Sequence, residues 1–133
     1  MQINVGNLRT TTQGIRCDRS SFLGNPFQME TENDRHATIK AFRQYLKMTA
    51  IDLQEPSIVA SQVSIAYKLN ISSVWKRPTS RQLLKELERV YELGLTQEIT
   101  LLCWCAPLPC HCNVLINYFK WRMCEIQKIS SYK

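Results

Sequence analysis

The sequence predicts a single α/β domain, a small sandwich in which helices flank a mostly parallel sheet. Its length of 133 residues is typical of one domain, and 44% hydrophobic residues are enough for one core. Strand-like segments stand near both ends of the chain, and helical patterns lie between and after them. This order of a strand, several helices, a strand and a helix is typical of layered α/β proteins.

The N-terminal part predicts two strands and a loop. Apolar residues alternate imperfectly over residues 1–9, which indicates a first strand, and residues 14–19 form a weaker second one. A loop is expected next, because Gly24, Asn25 and Pro26 are successive turn residues.

Three amphipathic patterns predict helices in the middle of the chain. The first begins near Asp34, and the second, which is less regular, begins near Pro56. The third is the clearest: Thr79 or Ser80 caps its start, an apolar stripe follows, and Gly94 is expected to end it.

The C-terminal part predicts the central strand and a long last helix. Residues 98–105 (EITLLCWC) are apolar on both faces, as a strand covered by helices on both sides requires. An apolar stripe over residues 114–126 then indicates a helix. Open α/β sheets bind ligands where a strand ends and a helix begins, so we expect a site between these two elements.

A dense cysteine segment, CWCAPLPCHC at residues 103–112, occupies that position and holds four of the six cysteines. Zinc is one interpretation, with donors drawn from a set of five residues: Cys103, Cys105, Cys110, His111 and Cys112. The spacing is not the paired C-x2-C of common zinc modules, and donors on one short loop are hard to place around a tetrahedron. We therefore expect no structural metal and no cofactor.

Two other interpretations of the segment stay open. Cys110 is a candidate catalytic thiolate, because a helix N-terminus and His111 would lower its pKa. Alternatively, Cys103 and Cys105 simply fill a crowded strand. A cysteine-phosphatase pattern is excluded, since no arginine stands six places after any cysteine of the segment.

The net charge of +6 favours anionic partners, either nucleic acid or small phosphorylated ligands. Arg9, Arg16 and Arg19 lie close together near the N-terminus and are typical of a site. A second group on or beyond the last helix is typical of a solvated face: Lys120, Arg122, Lys128 and Lys133. No apolar run reaches the ~20 residues of a membrane helix or the form of a signal peptide, so we expect a cytoplasmic protein with reduced thiols and no membrane partner.

Four segments, VGNLR, DRSSFLGNPF, DRHATIKAFRQYL and LLCWCAPLPCHCNVL, together resemble the family catalogued as domain of unknown function 4326, found in bacteria and their viruses. By this resemblance, eleven residues fall on motif positions of the family: Asn7, Arg9, Arg19, Gly24, Asn25, Pro26, Arg35, Cys105, Pro107, Cys110 and His111. All of them except Pro107 are candidate ligand-binding residues. Asp18 departs from the family pattern, which usually has a glycine there. Residues 47–80 match poorly and are interpreted as an insertion within the single domain of residues 1–133.

The resemblance implies a Rossmann-like fold of the kind that handles nucleosides and nucleotide-derived signals. The first hypothesis is a binding protein for a phosphorylated nucleotide-derived ligand, such as a viral anti-defence protein that sequesters a host signalling nucleotide. Arg9 and Arg19 would hold phosphate together with the backbone of residues 23–27, which we call the LGNPF loop, and the backbone of the last helix. Asn7 and Asn25 would orient a base or sugar. The competing interpretation pairs these arginines with Glu30, Glu32 or Asp34.

Two alternative functions accompany this hypothesis. One is a hydrolase or glycosidase acting on a nucleotide or ADP-ribose-like ligand, with Asp18, Cys110 and His111 as candidate catalytic residues. The other is a nucleic-acid-binding module, which the charge favours although no recognition motif is present. No H-E-x-x-H and no Walker loop occurs, and a homo-oligomer is left open.

Overall fold

The computed structural model describes residues 1–131, with side chains through residue 128; Lys133 lies outside the described residues. Its sheet consists of three parallel strands, β1 (Ile3–Asn7), β2 (Ile15–Arg16) and β3 (Ile99–Cys103), in the order β1-β3-β2. Ile3 lies opposite Ile99, and Ile15 lies opposite Leu101. The small parallel sheet flanked by helices confirms the predicted α/β class, with the last strand at the centre.

Four helices follow the predicted order: α1 (Arg35–Leu46), α2 (Pro56–Tyr67), α3 (Ser80–Thr96) and α4 (His111–Ser131). A 3-10 turn at Glu32–Asp34 leads into α1, and a π-helical turn at Lys47–Ile51 follows it. None of the described helices has the length and apolar content that a membrane span requires.

The starts of α2 and α3 have the capping groups that their sequences suggest. Pro56 is the first residue of α2, and the Glu55 carboxylate accepts a hydrogen bond from the Ile58 amide at 2.9 Å. Thr79 and Gln82 form a reciprocal capping box at the start of α3. These bonds satisfy backbone amides that have no partner within the helix.

The prediction that Gly94 ends α3 is wrong. The helix continues to Thr96, and Gln97 ends it in an extended conformation. Gly94 is buried, and a Cβ there would lie 3.2 Å from Cδ1 of Ile99. The glycine therefore lets the helix approach the first residue of β3 closely.

The main core contains alternate residues of β3 and the inner faces of the helices. Ile99, Leu101 and Cys103 belong to it, whereas Leu102 is buried beside Gly6 and Gly14 outside this cluster. Large side chains with less than 2% exposure complete the packing: Phe27, Phe42, Tyr45, Leu83, Leu87, Leu115 and Phe119.

Residues 47–80, interpreted above as an insertion, contribute to this core and to the neighbouring loop. Val59, Ala60, Val63 and Trp75 are buried in the main cluster. Backbone bonds join residues 70–76 to residues 19–28, including Ser72 N to Pro26 O at 2.8 Å and Lys76 N to Arg19 O at 3.0 Å. The LGNPF loop is therefore supported from the side by this segment.

Candidate functional site

A cavity of about 100 Å³ lies between the loop that follows β3, the N-terminus of α1 and the LGNPF loop. Six of the ten predicted ligand residues line it: Arg19, Asn25, Arg35, Cys105, Cys110 and His111. Met29, Thr38, Ile39 and Pro109 complete the lining. A groove of about 320 Å³ lies elsewhere, between α1 and α4, but none of the predicted site residues lines it. We therefore place the candidate site in the smaller cavity.

Arg19 is the half-buried cation of the cavity. Its Nε donates to the Asn25 carbonyl at 3.1 Å and its Nη2 to the Phe27 carbonyl at 2.7 Å. Burial lowers the pKa of Arg19, and no carboxylate of the described residues forms an ion pair with it. The charge is thus held in place by neutral carbonyls, which orient it without neutralising it.

Arg35 is held differently, at the first position of α1. Its Nε and Nη2 donate to the two carboxylate oxygens of Glu32 at 2.9 and 2.7 Å, and its Nη1 donates to the Pro109 carbonyl at 3.0 Å. The bond to Glu32 raises the pKa of Arg35, and a hydrogen bond to the Cys105 thiol adds to this effect. The competing interpretation, which paired Arg9 and Arg19 with Glu30, Glu32 or Asp34, is therefore wrong for both: among the described residues, the arginine that pairs with Glu32 is Arg35.

The LGNPF loop is built around close backbone contacts. A Cβ at Gly24 would lie 2.6 Å from the Asp18 carbonyl oxygen, so only glycine fits there. The Asn25 side chain accepts from the Phe27 amide at 3.0 Å and donates to the Thr38 carbonyl at 3.4 Å. Gly24, Asn25 and Pro26 therefore shape the loop whose carbonyls hold Arg19.

Asn7 and Arg9 do not line the cavity. The Asn7 amide donates to the Ala106 carbonyl at 2.7 Å, and its oxygen accepts from the Arg9 backbone amide at 2.8 Å. Asn7 thereby fixes the loop that follows β3, in which the Ala106–Pro107 peptide bond is cis. The Arg9 side chain is exposed, so the structure places Arg35, rather than Arg9, beside Arg19.

Asp18 also lies outside the cavity lining. Its carboxylate pairs with Arg16 at 2.7 Å and accepts from the Ser20 hydroxyl at 2.7 Å and the Trp104 indole at 3.2 Å. Burial alone would raise the pKa of Asp18, but these hydrogen bonds outweigh it and lower the pKa to about 2. A carboxylate with so low a pKa is a weak base at neutral pH.

His111, the first residue of α4, is buried and well packed. Its Nε2 lies 2.5 Å from the Cys17 carbonyl, and because a carbonyl only accepts, Nε2 carries the proton. Its ring meets the Phe42 ring edge-on, with centroids 4.9 Å apart. The neighbouring imidazole is a minor cause of the lowered pKa of Cys110, after the thiols around that cysteine.

Cys103, Cys110 and Cys112 form what we call the thiol cluster. Their three Sγ atoms lie within 4.8 Å of one another, and those of Cys103 and Cys110 are 3.4 Å apart. All three side chains are buried. Hydrogen bonds from Cys103 and other thiols lower the pKa of Cys110, and those with Cys103 and Cys110 raise the pKa of Cys112. The negative charge of a single thiolate would therefore reside on Cys110.

Two further cysteines border the cluster. Cys105 is half-buried and lines the cavity together with Cys110. Cys17 is buried beside Cys112, and sequence reasoning did not assign it to the site. The signal for Cys17 was its place within the weak strand pattern of residues 14–19, because it directly follows β2, and β2 pairs with β3.

The fold and site define a small α/β protein with a basic, thiol-lined cavity at the carboxyl edge of a parallel sheet. A family model described as Domain of unknown function (DUF4326) matches residues 2–121, and the chain belongs to this family. No curated protein and no solved structure shows significant similarity to the chain.

Proposed function

We propose that the protein binds a small phosphorylated, nucleotide-derived ligand and that a phosphate of this ligand enters the cavity beside Arg19. The observation that carries the proposal is the half-buried Arg19 guanidinium, which lines the cavity without a carboxylate partner among the described residues. Arginine is suited to phosphate because its planar donors match phosphate oxygens.

The first turn of α4 adds to this preference for anions. Cys110 and His111 bring the N-terminus of a long helix to the cavity wall, where backbone amides carry partial positive charge. The Arg35 guanidinium lies at the same wall, although Glu32 compensates its charge. A phosphate would thus meet one uncompensated arginine and a helix N-terminus together.

The size of the cavity limits what can enter. A volume of about 100 Å³ is well below the roughly 300–1,000 Å³ of pockets that enclose whole ligands. The proposal is therefore that only the phosphate group is enclosed, while a base or sugar rests at the rim. The overall charge of +6 would favour the approach of such an anion.

The position of the site supports a Rossmann-like assignment as part of the proposal. Nucleotide-binding α/β proteins hold their ligands at the carboxyl ends of parallel strands, beside a helix N-terminus, which is where this cavity lies. This is an analogy at the level of the fold. A viral protein that sequesters a host signalling nucleotide in the cytoplasm is the biological role that we propose for such a site.

Binding without turnover fits the candidate catalytic residues better than hydrolysis does. The Asp18 carboxylate lies outside the cavity lining and has a low pKa. The proton on His111 Nε2 is held by the Cys17 carbonyl. The observation that favours the hydrolase alternative is Cys110, which lines the cavity and whose pKa is lowered.

The test is a calorimetric titration of the full chain with pyrophosphate, ADP-ribose and a panel of nucleotides, with chromatography of the mixtures for products. Arg19→Ala should weaken binding by about 1.5–3 kcal/mol, roughly 10-fold to 150-fold. Arg9→Ala and Lys128→Ala are the controls, because both side chains lie outside the cavity lining. Thermal unfolding of each variant reports whether the domain is still folded.

Each result of this experiment has a defined meaning. Equal losses for Arg9→Ala and Arg19→Ala would show that net charge alone attracts the anion and would refute the pocket. Released product in the wild-type mixture would favour the hydrolase alternative. Binding only to DNA or RNA, with strong dependence on salt, would favour the nucleic-acid-binding module.

A further inference from the structure

The thiol cluster has the dimensions of a metal-binding site. In tetrahedral zinc–thiolate sites, with Zn–S distances of about 2.3 Å, the sulfur atoms lie about 3.8 Å apart. The Sγ atoms of Cys103 and Cys110 are 3.4 Å apart, and all three Sγ atoms of the cluster lie within 4.8 Å. Small rotations of the side chains would therefore bring three sulfurs around one ion.

The geometric objection drawn from the sequence does not hold in the fold. That objection assumed that all donors lie on one short loop. Cys103 is instead the last residue of β3, and Cys112 lies in the first turn of α4, so a strand and a helix present their thiols from different directions. We propose that Cys103, Cys110 and Cys112 bind one Zn²⁺ ion, with Cys105 as the fourth ligand.

Cys105 is suited to the fourth position because it is half-buried and lines the cavity together with Cys110. It also lies only two residues after Cys103 in the chain. His111 is less suited, because the bond of its Nε2 to the Cys17 carbonyl and the contact of its ring with Phe42 hold the imidazole in place. Cys17 is buried, but its Sγ is not one of the three that lie within 4.8 Å of one another.

The surroundings of the cluster balance the charge of such a site. Four thiolates and one Zn²⁺ carry a net charge of −2, which is costly to bury without compensation. The Arg35 guanidinium lines the same cavity as Cys105 and Cys110 and so brings a positive charge to the edge of the cluster. The N-terminus of α4 adds partial positive charge. Partners of this kind orient metal ligands and tune their affinity.

The donor set selects the class of metal. Sulfur donors disfavour Mg²⁺ and Ca²⁺, which prefer oxygen, and they favour zinc and copper(I). The three cluster thiols are at most 4% exposed, which is typical of a closed, structural zinc site rather than an open catalytic one. The ion would join the end of β3 to the start of α4 and so fix the loop that lines the cavity.

The test begins with the full wild-type chain, purified under reducing conditions in the presence of zinc. We expect elemental analysis and native mass spectrometry to show one zinc per chain, and a chelator to lower the melting temperature. Cobalt(II) added to the chelated protein should give the absorption of tetrahedral thiolate coordination. These measurements use metals alone as probes, so they are independent of the proposed phosphate site.

Variants then assign the ligands. Cys112→Ser and Cys105→Ser should each weaken cobalt binding more than tenfold, whereas Cys124→Ser, an exposed cysteine on the same helix, should bind as the wild type does. Arg19→Ala should retain the metal even if it loses the phosphate probe. Because the wild-type measurements alone decide whether the ion is present, a variant that fails to fold does not weaken the test.

Three results would overturn the proposal. The first is a wild-type chain that contains no zinc, gives no cobalt spectrum and shows no change in melting temperature with chelator. The second is binding of copper(I) only, which would refute zinc as the metal. The third is equal cobalt affinity of Cys112→Ser and Cys124→Ser, which would place the ion elsewhere.

Discussion

Gly24→Ala should disturb the fold and the candidate site together. The added Cβ would lie 2.6 Å from the Asp18 carbonyl oxygen and 2.7 Å from the Arg19 Cα, well inside ordinary contact distance. Both atoms belong to the backbone, so a side-chain rotation cannot relieve the contact and two loop segments must separate. Overpacking of this kind lowers the free energy of unfolding by about 1–3 kcal/mol. Because both contacts are to backbone atoms, we expect a loss in the upper part of this range, about 2–3 kcal/mol. The Arg19 guanidinium would then lose its geometry relative to the Asn25 carbonyl.

Urea denaturation followed by circular dichroism measures this cost. With an unchanged m value, a lower midpoint gives the loss in free energy of unfolding. The matched control is Gly94→Ala, where the Cβ would meet the flexible end of Ile99 at 3.2 Å. There, the gain in helix propensity of about 1 kcal/mol offsets the tight contact, so the change should stay within about 1 kcal/mol. Equal changes in the two variants would refute the reasoning.

Three further predictions concern stability. Phe119→Ala should cost about 3–5 kcal/mol in urea denaturation, because its ring is fully buried against Tyr91; a loss below about 1 would contradict this packing. Thr79→Ala should cost about 1 kcal/mol by removing the cap of α3, and Ser80→Ala, which leaves the cap in place, should cost less. The pKa of Asp18, about 2 when folded and 3.8 ordinarily, predicts stability that is present above pH 4 and lost towards pH 2. Asp18→Asn should not show this loss of stability on acidification. If the wild type and Asp18→Asn lose stability equally between pH 4 and pH 2 in urea denaturation, the prediction is refuted.

Patterns within one segment of the sequence were enough to predict individual helices and strands, because each of these elements is formed by a continuous stretch of the chain. The apolar stripe of α3 and the two-sided apolar run of β3 both report burial directly, so their positions followed from periodicity. The error at Gly94 has a different origin. Whether a glycine ends a helix depends on what packs against it, here Ile99, and that partner is not visible in the local pattern.

The site was predictable only in part because it is assembled from distant segments. The structure brings Arg19, Cys105, Cys110 and His111, which the sequence analysis named, to one cavity. A strand end next to a helix start is a recurring ligand position in α/β proteins, which is why the last three could be named. The direction of the Arg9 side chain, by contrast, depends on the path of the chain after β1.

Cys17 shows the same limitation. It enters the site only because the short strand β2 pairs with β3. The residue pattern of one segment does not show which distant strand that segment pairs with.

The central position of β3 has a consequence for the order of events during synthesis. β1 and β2 do not pair with each other, and both bond to a strand that leaves the ribosome only after residue 99 has been made. A nascent chain of the first 98 residues therefore has helices but no sheet. Contacts so distant in sequence close slowly. The N-terminal strands accordingly stay unpaired until β3 has been made, and the cavity forms only after the start of α4 has followed it.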